Sequence, residues 1–238
     1  MPSLHTGLPF RRDLHAMLFI ACLDDRFSPG TPMTVFDLFA QDYDRWFDEN
    51  ERIYQAEINA LRRFIPTAGK GIEIGAGTGR FSIPLAVDLG IEPSRQMALI
   101  AHRRGLKVCQ AVGERLPFFG KQFDYVLLVT VICFVSDMPT LFREIHRMLA
   151  PGGLLINGFI DRNSALGRVY ESQKNTNKFY QQARFYSADQ VAGCTRQAGF
   201  SDVIFSQTIL GLPADSSDFD RVQGGYGEDA FVVLSARK

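Results

Sequence analysis

The sequence predicts an α/β fold: a doubly wound, mostly parallel sheet behind a helical N-terminal segment. Two observations carry this. Short apolar runs that end at glycine or an acid alternate with segments whose apolar residues recur every three or four positions, the pattern of successive βα units. The first run also feeds KGIEIGAGTGRF, Lys70 to Phe81, where three glycines fall within five positions. Glycine lets the backbone take left-handed angles and approach a ligand closely, because no Cβ stands in the way.

Taken in order, residues 1–32 come first. Arg11-Arg12 and the apolar run from Leu14 to Leu23 resemble the first two parts of a signal peptide, but Asp24-Asp25-Arg26 follows without a small-residue cleavage pattern. The segment reads as a poorly ordered extension, or as sequence upstream of a start at Met33. From Val35 the pattern is helical. Phe36, Phe39, Tyr43 and Trp46-Phe47 share one spacing, Tyr54, Ile58, Leu61 and Ile65 share another, and Pro66 closes a helical cover spanning 33–69.

Gly71 to Ile74 is the first strand, and Gly75-Ala76-Gly77-Thr78-Gly79 is its turn. A helix is predicted from Gly79 to Leu85, with Pro84 close enough to its start to be tolerated. A dinucleotide fingerprint would place a third glycine at position 80, where Arg80 stands. Glu73 lies two residues before the loop. An acid there repels a pyrophosphate and favours an ammonium group. S-adenosylmethionine carries an ammonium, a sulfonium and no phosphate. Glu92 closes the second strand at the carboxyl edge, where a carboxylate can accept both hydroxyls of a ribose.

Ser94 caps a second helix that buries Met97, Ile100 and Ala101 and ends at Gly105. Leu106 to Ala111 is the third strand. Phe123 to Val129, nearly all apolar, is a strand covered on both faces. Asp137 opens a helix burying Leu141, Ile145 and Met148, and Pro151-Gly152-Gly153 turns into a fifth strand, Leu154 to Phe159. Ser187 caps a helix ending at Gly199. Asp202 to Thr208 and Ala230 to Ala236 form antiparallel final strands, joined by a long loop containing Gly224-Gly225-Tyr226-Gly227.

Five landmarks appear in order: EIGAGTGRF (73–81), GIEPSRQM (90–97), ERLPF (114–118), FDYVLLVTVICFV (123–135) and LAPGGLLI (149–156). On these, the chain from about Val35 onward resembles the class I S-adenosylmethionine-dependent methyltransferases, in particular the small-molecule branch related to the ubiquinone and menaquinone biosynthesis enzymes. The resemblance implies a Rossmann-like, seven-stranded, mostly parallel sheet with an antiparallel last strand. It implies a cofactor domain over 70–238 with a substrate-cover insertion at about 161–186.

It further implies S-adenosylmethionine as cofactor. Expected contacts are Glu73, Gly75, Ala76, Gly77 and Gly79 on the loop, Glu92 and Pro93 at the ribose, and Val112, Gly113 and Glu114 at the adenine. Tyr43, from a Tyr43-Asp44-Arg45-Trp46 stretch, and Thr130 are expected near the methionine end. Val112 stands where the resembling enzymes often carry an aspartate for the adenine amino group, which leaves the backbone at Gly113 and apolar packing to hold the ring. Cys133, Phe134, Tyr180 and Arg184 are expected to face the acceptor, with Arg184 suited to a carboxylate or phosphate.

Methyl transfer from a sulfonium is an in-line displacement in which alignment supplies much of the rate. A nucleophile that attacks as a neutral group needs little base; Asp161 or Tyr180 would serve if one is used. The expected activity is methyl transfer to a small molecule. The alternative is a non-catalytic module that binds S-adenosylmethionine or S-adenosylhomocysteine. A nicotinamide oxidoreductase is disfavoured by Arg80 and Glu73.

Composition sets the outer bounds. Basic and acidic residues balance at 26 each, against the basic surface that nucleic acid requires. No apolar segment reaches the length needed to span a membrane. The four cysteines and four histidines are dispersed, which reads as reduced thiols in a cytoplasmic protein without a metal site.

Overall fold

A computed structural model describes residues 33–208 and 221–238. The expected extension over 1–32 and much of the loop before the last strand lie outside the described residues. Three helices come first: α1 (Val35–Leu38), α2 (Ala40–Glu49) and α3 (Glu51–Arg62). The sheet strands are β1 (Gly71–Ile74), β2 (Leu89–Ile91), β3 (Lys107–Cys109), β4 (Phe123–Val129), β5 (Leu149–Ile160), β6 (Ser201–Thr208), β7 (Gln223–Gly224) and β8 (Phe231–Arg237). Between them run α4 (Arg95–Arg103), α5 (Met138–Met148), α6 (Ala165–Gln173) and α7 (Ala188–Gln197).

The strands order as β3-β2-β1-β4-β5-β8-β6-β7. β1 to β5 pair in parallel, and β8 runs antiparallel to both β5 and β6. The Rossmann-like, mostly parallel sheet is the fold the sequence predicts. To its seven strands the structure adds a two-residue edge pairing, β7 on β6, formed where the chain returns through Gly224. Each face carries a core. Val126, Leu128, Leu155 and Leu234 meet α5 and α7 on one side; Leu127, Ile156, Phe231 and Val233 meet α3 on the other. Each such side chain, fully withdrawn from water, contributes about 1.5–3 kcal/mol.

Local chemistry places most helix ends as expected. The Ser94 hydroxyl accepts from Met97 N–H at 3.3 Å, Asp137 accepts from Thr140 N–H at 3.2 Å, and Ser187 pairs reciprocally with Gln190 in a capping box. Gly105 and Gly199 follow α4 and α7 with φ of 95° and 99°.

The helix expected from Gly79 to Leu85 is a correction: the chain passes through turns there. Proline at position 84 has no N–H to give the Arg80 carbonyl and would crowd it in a helix. That carbonyl instead accepts the hydroxyl of Tyr54 from α3. One proline thus converts the segment after the glycine loop into a docking point for the cover.

Cys133 and Cys194 are free and buried. Among the described residues no helix is long and apolar enough to cross a membrane.

Candidate functional site

At the carboxyl ends of β1 and β4 the strand order reverses direction, and a cleft of about 670 Å³ opens there. Its floor is the glycine loop. Gly75 and Ala76 N–H both donate to the Ile91 carbonyl, at 2.8 and 2.9 Å, which ties the loop to β2. Gly75 has φ of 72°, and a Cβ added there would lie 2.3 Å from Val131. Gly77 has φ of 54°, and its N–H donates at 2.8 Å to Glu92.

Glu92 is buried, and its other oxygen accepts Ser94 N–H at 2.7 Å. Burial pushes its carboxyl up to about 7, against the pull of those two backbone bonds. Each oxygen keeps a lone pair for a further donor. Beyond it, Val112 and Gly113 line the cleft. A Cβ at Gly113 would approach Leu141 to 2.6 Å and Ile74 to 3.1 Å.

The cover closes the other side. Met33 to Phe36 line the cleft with Tyr43, Phe134 and Phe179. Phe36 lies 4.9 Å from Phe134 and 5.8 Å from Phe179, and Tyr43 lies 5.9 Å from both Phe36 and Phe179. Tyr43 is half-buried between Gly77 and Thr130. Burial first, then the field of Glu92, hold its phenol well above the usual range. Thr130 takes φ of 54°, costly for a β-branched residue, and its N–H donates to the Gly158 carbonyl at 2.8 Å.

Asp44 fastens this cover to the loop. Its carboxylate accepts the Thr78 hydroxyl at 2.6 Å, Arg80 at 2.9 and 3.0 Å, and Arg104 at 2.6 Å through each of two nitrogens. Burial raises the carboxyl, but the bonds from Arg104, Arg80 and Thr78 outweigh it and leave the group well below the usual range. On the outside, Lys178 lies 2.6 Å from Asp42 and 4.0 Å over the Phe39 ring, strapping the segment after α6 onto α2.

The cleft brings together Tyr43, Gly75, Gly77, Glu92, Pro93, Val112, Gly113, Glu114, Thr130 and Phe134. Other expected residues lie elsewhere. Glu73 faces the core and accepts the Ser82 hydroxyl, and burial pushes it up to about 8. Ala76 packs with Ala98, Ala101 and Leu106, and Gly79 abuts Ala101. The loop's alternation turns these three away from the lining of the cleft.

Cys133 and Tyr180 line a small second cavity that shares Thr130 as a wall residue with the cleft. Burial pushes the Cys133 thiol up to about 12. Arg184 is exposed and lies over the Tyr186 ring at 5.6 Å. Asp161 accepts Asn163 N–H at 2.9 Å and Ala188 N–H at 3.4 Å, and it is not among the residues lining the cleft. Glu114 spends one oxygen on Ser136 N–H at 2.7 Å. The sequence reading missed Met33 to Phe36, Met97, Lys178, Phe179, Gln181 and Gln182 as wall residues. The aromatic spacing around Phe36 and Phe179 was the available signal.

Fold and cleft define an open α/β protein with a cofactor site at the point of strand reversal. Comparison with known proteins gives the class its content. The methyltransferase-domain family matches residues 72–157. A protein of Methanocaldococcus jannaschii described as uncharacterized is 47% identical over 206 residues, spanning 87% of this chain and 100% of that one. A crystal structure from Thermotoga maritima, described as a S-adenosylmethionine-dependent methyltransferase and possible histamine N-methyltransferase, superposes with a TM-score of 0.82. It is 43% identical, over 86% of this chain and 98% of that one. A ubiquinone/menaquinone biosynthesis C-methyltransferase of Desulfotalea psychrophila is 27% identical over 74% of this chain and 85% of its own. The chain belongs to the S-adenosylmethionine-dependent methyltransferases of the small-molecule type, and S-adenosylmethionine is its cofactor.

Proposed function

We propose that this protein transfers a methyl group to a small-molecule acceptor by direct in-line displacement. The observation that carries the reading is one continuous cleft. It runs from the Glu92 carboxylate, past Gly77, to the neck formed by Tyr43 and Thr130 beneath an aromatic cover.

The residues present fit the cofactor. Glu92 has one free lone pair on each oxygen for a ribose diol. Val112 and Gly113 line the cleft and offer apolar surface and backbone groups for a purine. Gly75 and Gly77 give the amino-acid end a backbone free of side chains. When bound, S-adenosylmethionine supplies a methyl carbon already activated by a sulfonium. Tyr43 and Thr130 flank the acceptor's approach, and Phe36, Phe134 and Phe179 exclude water from it. Alignment in such a neck is worth about 7–11 kcal/mol in good cases, which asks for no elaborate acid–base machinery.

The test is calorimetric titration of the full chain with S-adenosylhomocysteine, beside the Glu92→Ala variant. Micromolar binding that the substitution weakens by about 1.5–3 kcal/mol, roughly 10- to 150-fold, is expected. Failure of the wild-type protein to bind would remove this assignment. Tight binding with no methyl transfer to any small acceptor would turn the reading to a non-catalytic binding module.

A further inference from the structure

Along the carboxyl edge of the sheet, β1 lies between β2 and β4, and β3 lies outside β2. Glu92 follows β2, and the glycine loop follows β1 beside the neck at Tyr43 and Thr130. A nucleoside whose ribose is held by Glu92, with its amino-acid arm over β1, must therefore extend its base toward the chain that leaves β3. That chain is Ala111 to Glu114, and all four residues line the cleft.

Hydrogen-bonding groups are few there. The Val112 side chain offers none and is 44% exposed. Its carbonyl accepts Arg115 N–H at 3.2 Å. The Gly113 N–H has no partner among the described residues, so it can donate to a purine ring nitrogen. Glu114 is drawn across to the start of α5, where one of its oxygens accepts Ser136 N–H at 2.7 Å and Asp137 N–H at 3.4 Å. Gln110 gives its amide to the Pro93 carbonyl at 2.9 Å and does not line the cleft. At Val112 the wall is thus apolar and open to water. A site rejects a ligand that lacks an N–H only where one of its own polar groups is left unpaired by the loss. An amino group over Val112 keeps its hydrogen bonds to water, and replacing its hydrogens leaves no group of the protein without a partner.

We propose that Val112 sets cofactor specificity at the exocyclic amino group of the purine. That nitrogen faces solvent, and S-adenosyl compounds carrying alkyl groups on it are accepted alongside the unsubstituted cofactor. The inference rests on the assignment of S-adenosylmethionine to this cleft and deepens it at one atom.

The experiment titrates the full chain by calorimetry with S-adenosylhomocysteine and with its N6,N6-dimethyl and N6-benzyl analogues. The dimethyl compound has no N–H to donate, and the benzyl compound tests for room. Wild type is expected to bind both within about threefold of the parent. Val112→Asp places an acceptor at the same point; it is expected to bind the parent about tenfold or more tighter than the dimethyl compound, which cannot make the new bond. Val112→Ala shortens the side chain without adding an acceptor and should treat the compounds as wild type does. Both substitutions fall at an exposed side chain, so melting temperatures are expected to stay near that of wild type.

Weakening of either analogue by about tenfold or more in wild type would overturn the proposal; if Glu114→Ala then removed that preference, Glu114 would be the reader of the amino group. A Val112→Asp protein that treats the parent and dimethyl compounds alike would overturn it as well, because position 112 would not face that nitrogen. The parent compound separates the two readings. If wild type binds none of the three, the cofactor assignment falls and this one with it; if the parent binds and the analogues are rejected, only the role of Val112 falls.

Discussion

Replacing Asp44 with alanine tests what holds the cover on the cofactor cleft. The carboxylate receives forked contacts from Arg80 and Arg104 and the Thr78 hydroxyl, and its side chain is 18% exposed. A hydrogen bond to a charged group contributes about 1.5–3 kcal/mol when shielded from water. The loss is partly offset, because Arg80 keeps Asp48 at 2.7 Å and Arg104 keeps the Thr78 carbonyl at 2.7 Å. The expected net destabilisation is therefore about 2–3 kcal/mol, a large share of the roughly 5–15 kcal/mol that holds a domain folded.

Trp46, the single tryptophan, lies on α2 two residues away and reports on the cover itself. Urea unfolding followed by Trp46 fluorescence and by circular dichroism should coincide in wild type. In the variant the fluorescence transition should come first, with S-adenosylhomocysteine affinity reduced about tenfold or more. The carboxyl is depressed in the folded state, so its contribution is full above the ordinary value of 3.8 and disappears only as pH falls below it. Coincident transitions, a loss under about 0.5 kcal/mol and unchanged affinity would mean that aromatic packing alone seats α2 and that the latch argument is wrong.

Glu57 and Glu73 are both raised by burial from 4.5 to about 8, so their protons bind the folded state more tightly. That contribution is complete below 4.5 and is lost as pH rises toward 8; chemical denaturation should show stability declining over this interval, and the double glutamine variant should flatten it. A flat wild-type profile would contradict their burial as ionisable groups. Gly75→Ala should lose about 2–3 kcal/mol and cofactor binding together, since its Cβ would lie 2.3 Å from Val131 at a φ of 72°. Adding Val131→Ala should restore the steric part, and a double variant no better than the single one would refute the clash. Lys178→Ala should speed S-adenosylhomocysteine release several-fold in stopped-flow traces while leaving the melting temperature nearly unchanged, because a pair 44% exposed on both sides contributes about 0–1 kcal/mol. An unchanged release rate would deny the strap a part in closure.

The parallel strands and most caps were legible because each depends on neighbours in sequence: an apolar run, a serine before a helix, a glycine after it. Glu92 was legible for the same reason, standing directly after β2. Three kinds of feature were not. The facing of Glu73 depends on the pleat of β1 and on a distant Ser82. The lost helix after the loop depends on Tyr54, 26 positions before Arg80, offering its hydroxyl to a carbonyl that Pro84 had left free. The cover's true contacts, Phe179 and Lys178 rather than Arg184, depend on how a segment beyond β5 folds back over α2, and aromatic composition alone does not fix its direction. Asp44 shows the same limit: it stood in a recognised stretch, but its partners Arg80 and Arg104 meet only in three dimensions.

The turns that replace a helix after the glycine loop bear on how this scaffold could change ligands. A helix at that place would line up its peptide dipoles and point several free amides at the cleft, the usual attraction for phosphate. Here Gly77 N–H is already taken by Glu92, so the loop has one amide fewer to offer an anion. Restoring a third glycine at position 80 would therefore not make a dinucleotide binder. It would remove the arginine that grips Asp44, and with it a positive charge beside the loop. The route to phosphate runs through Pro84 and the hydroxyl of Tyr54, so cofactor choice in this chain is written partly in residues that never touch the cofactor.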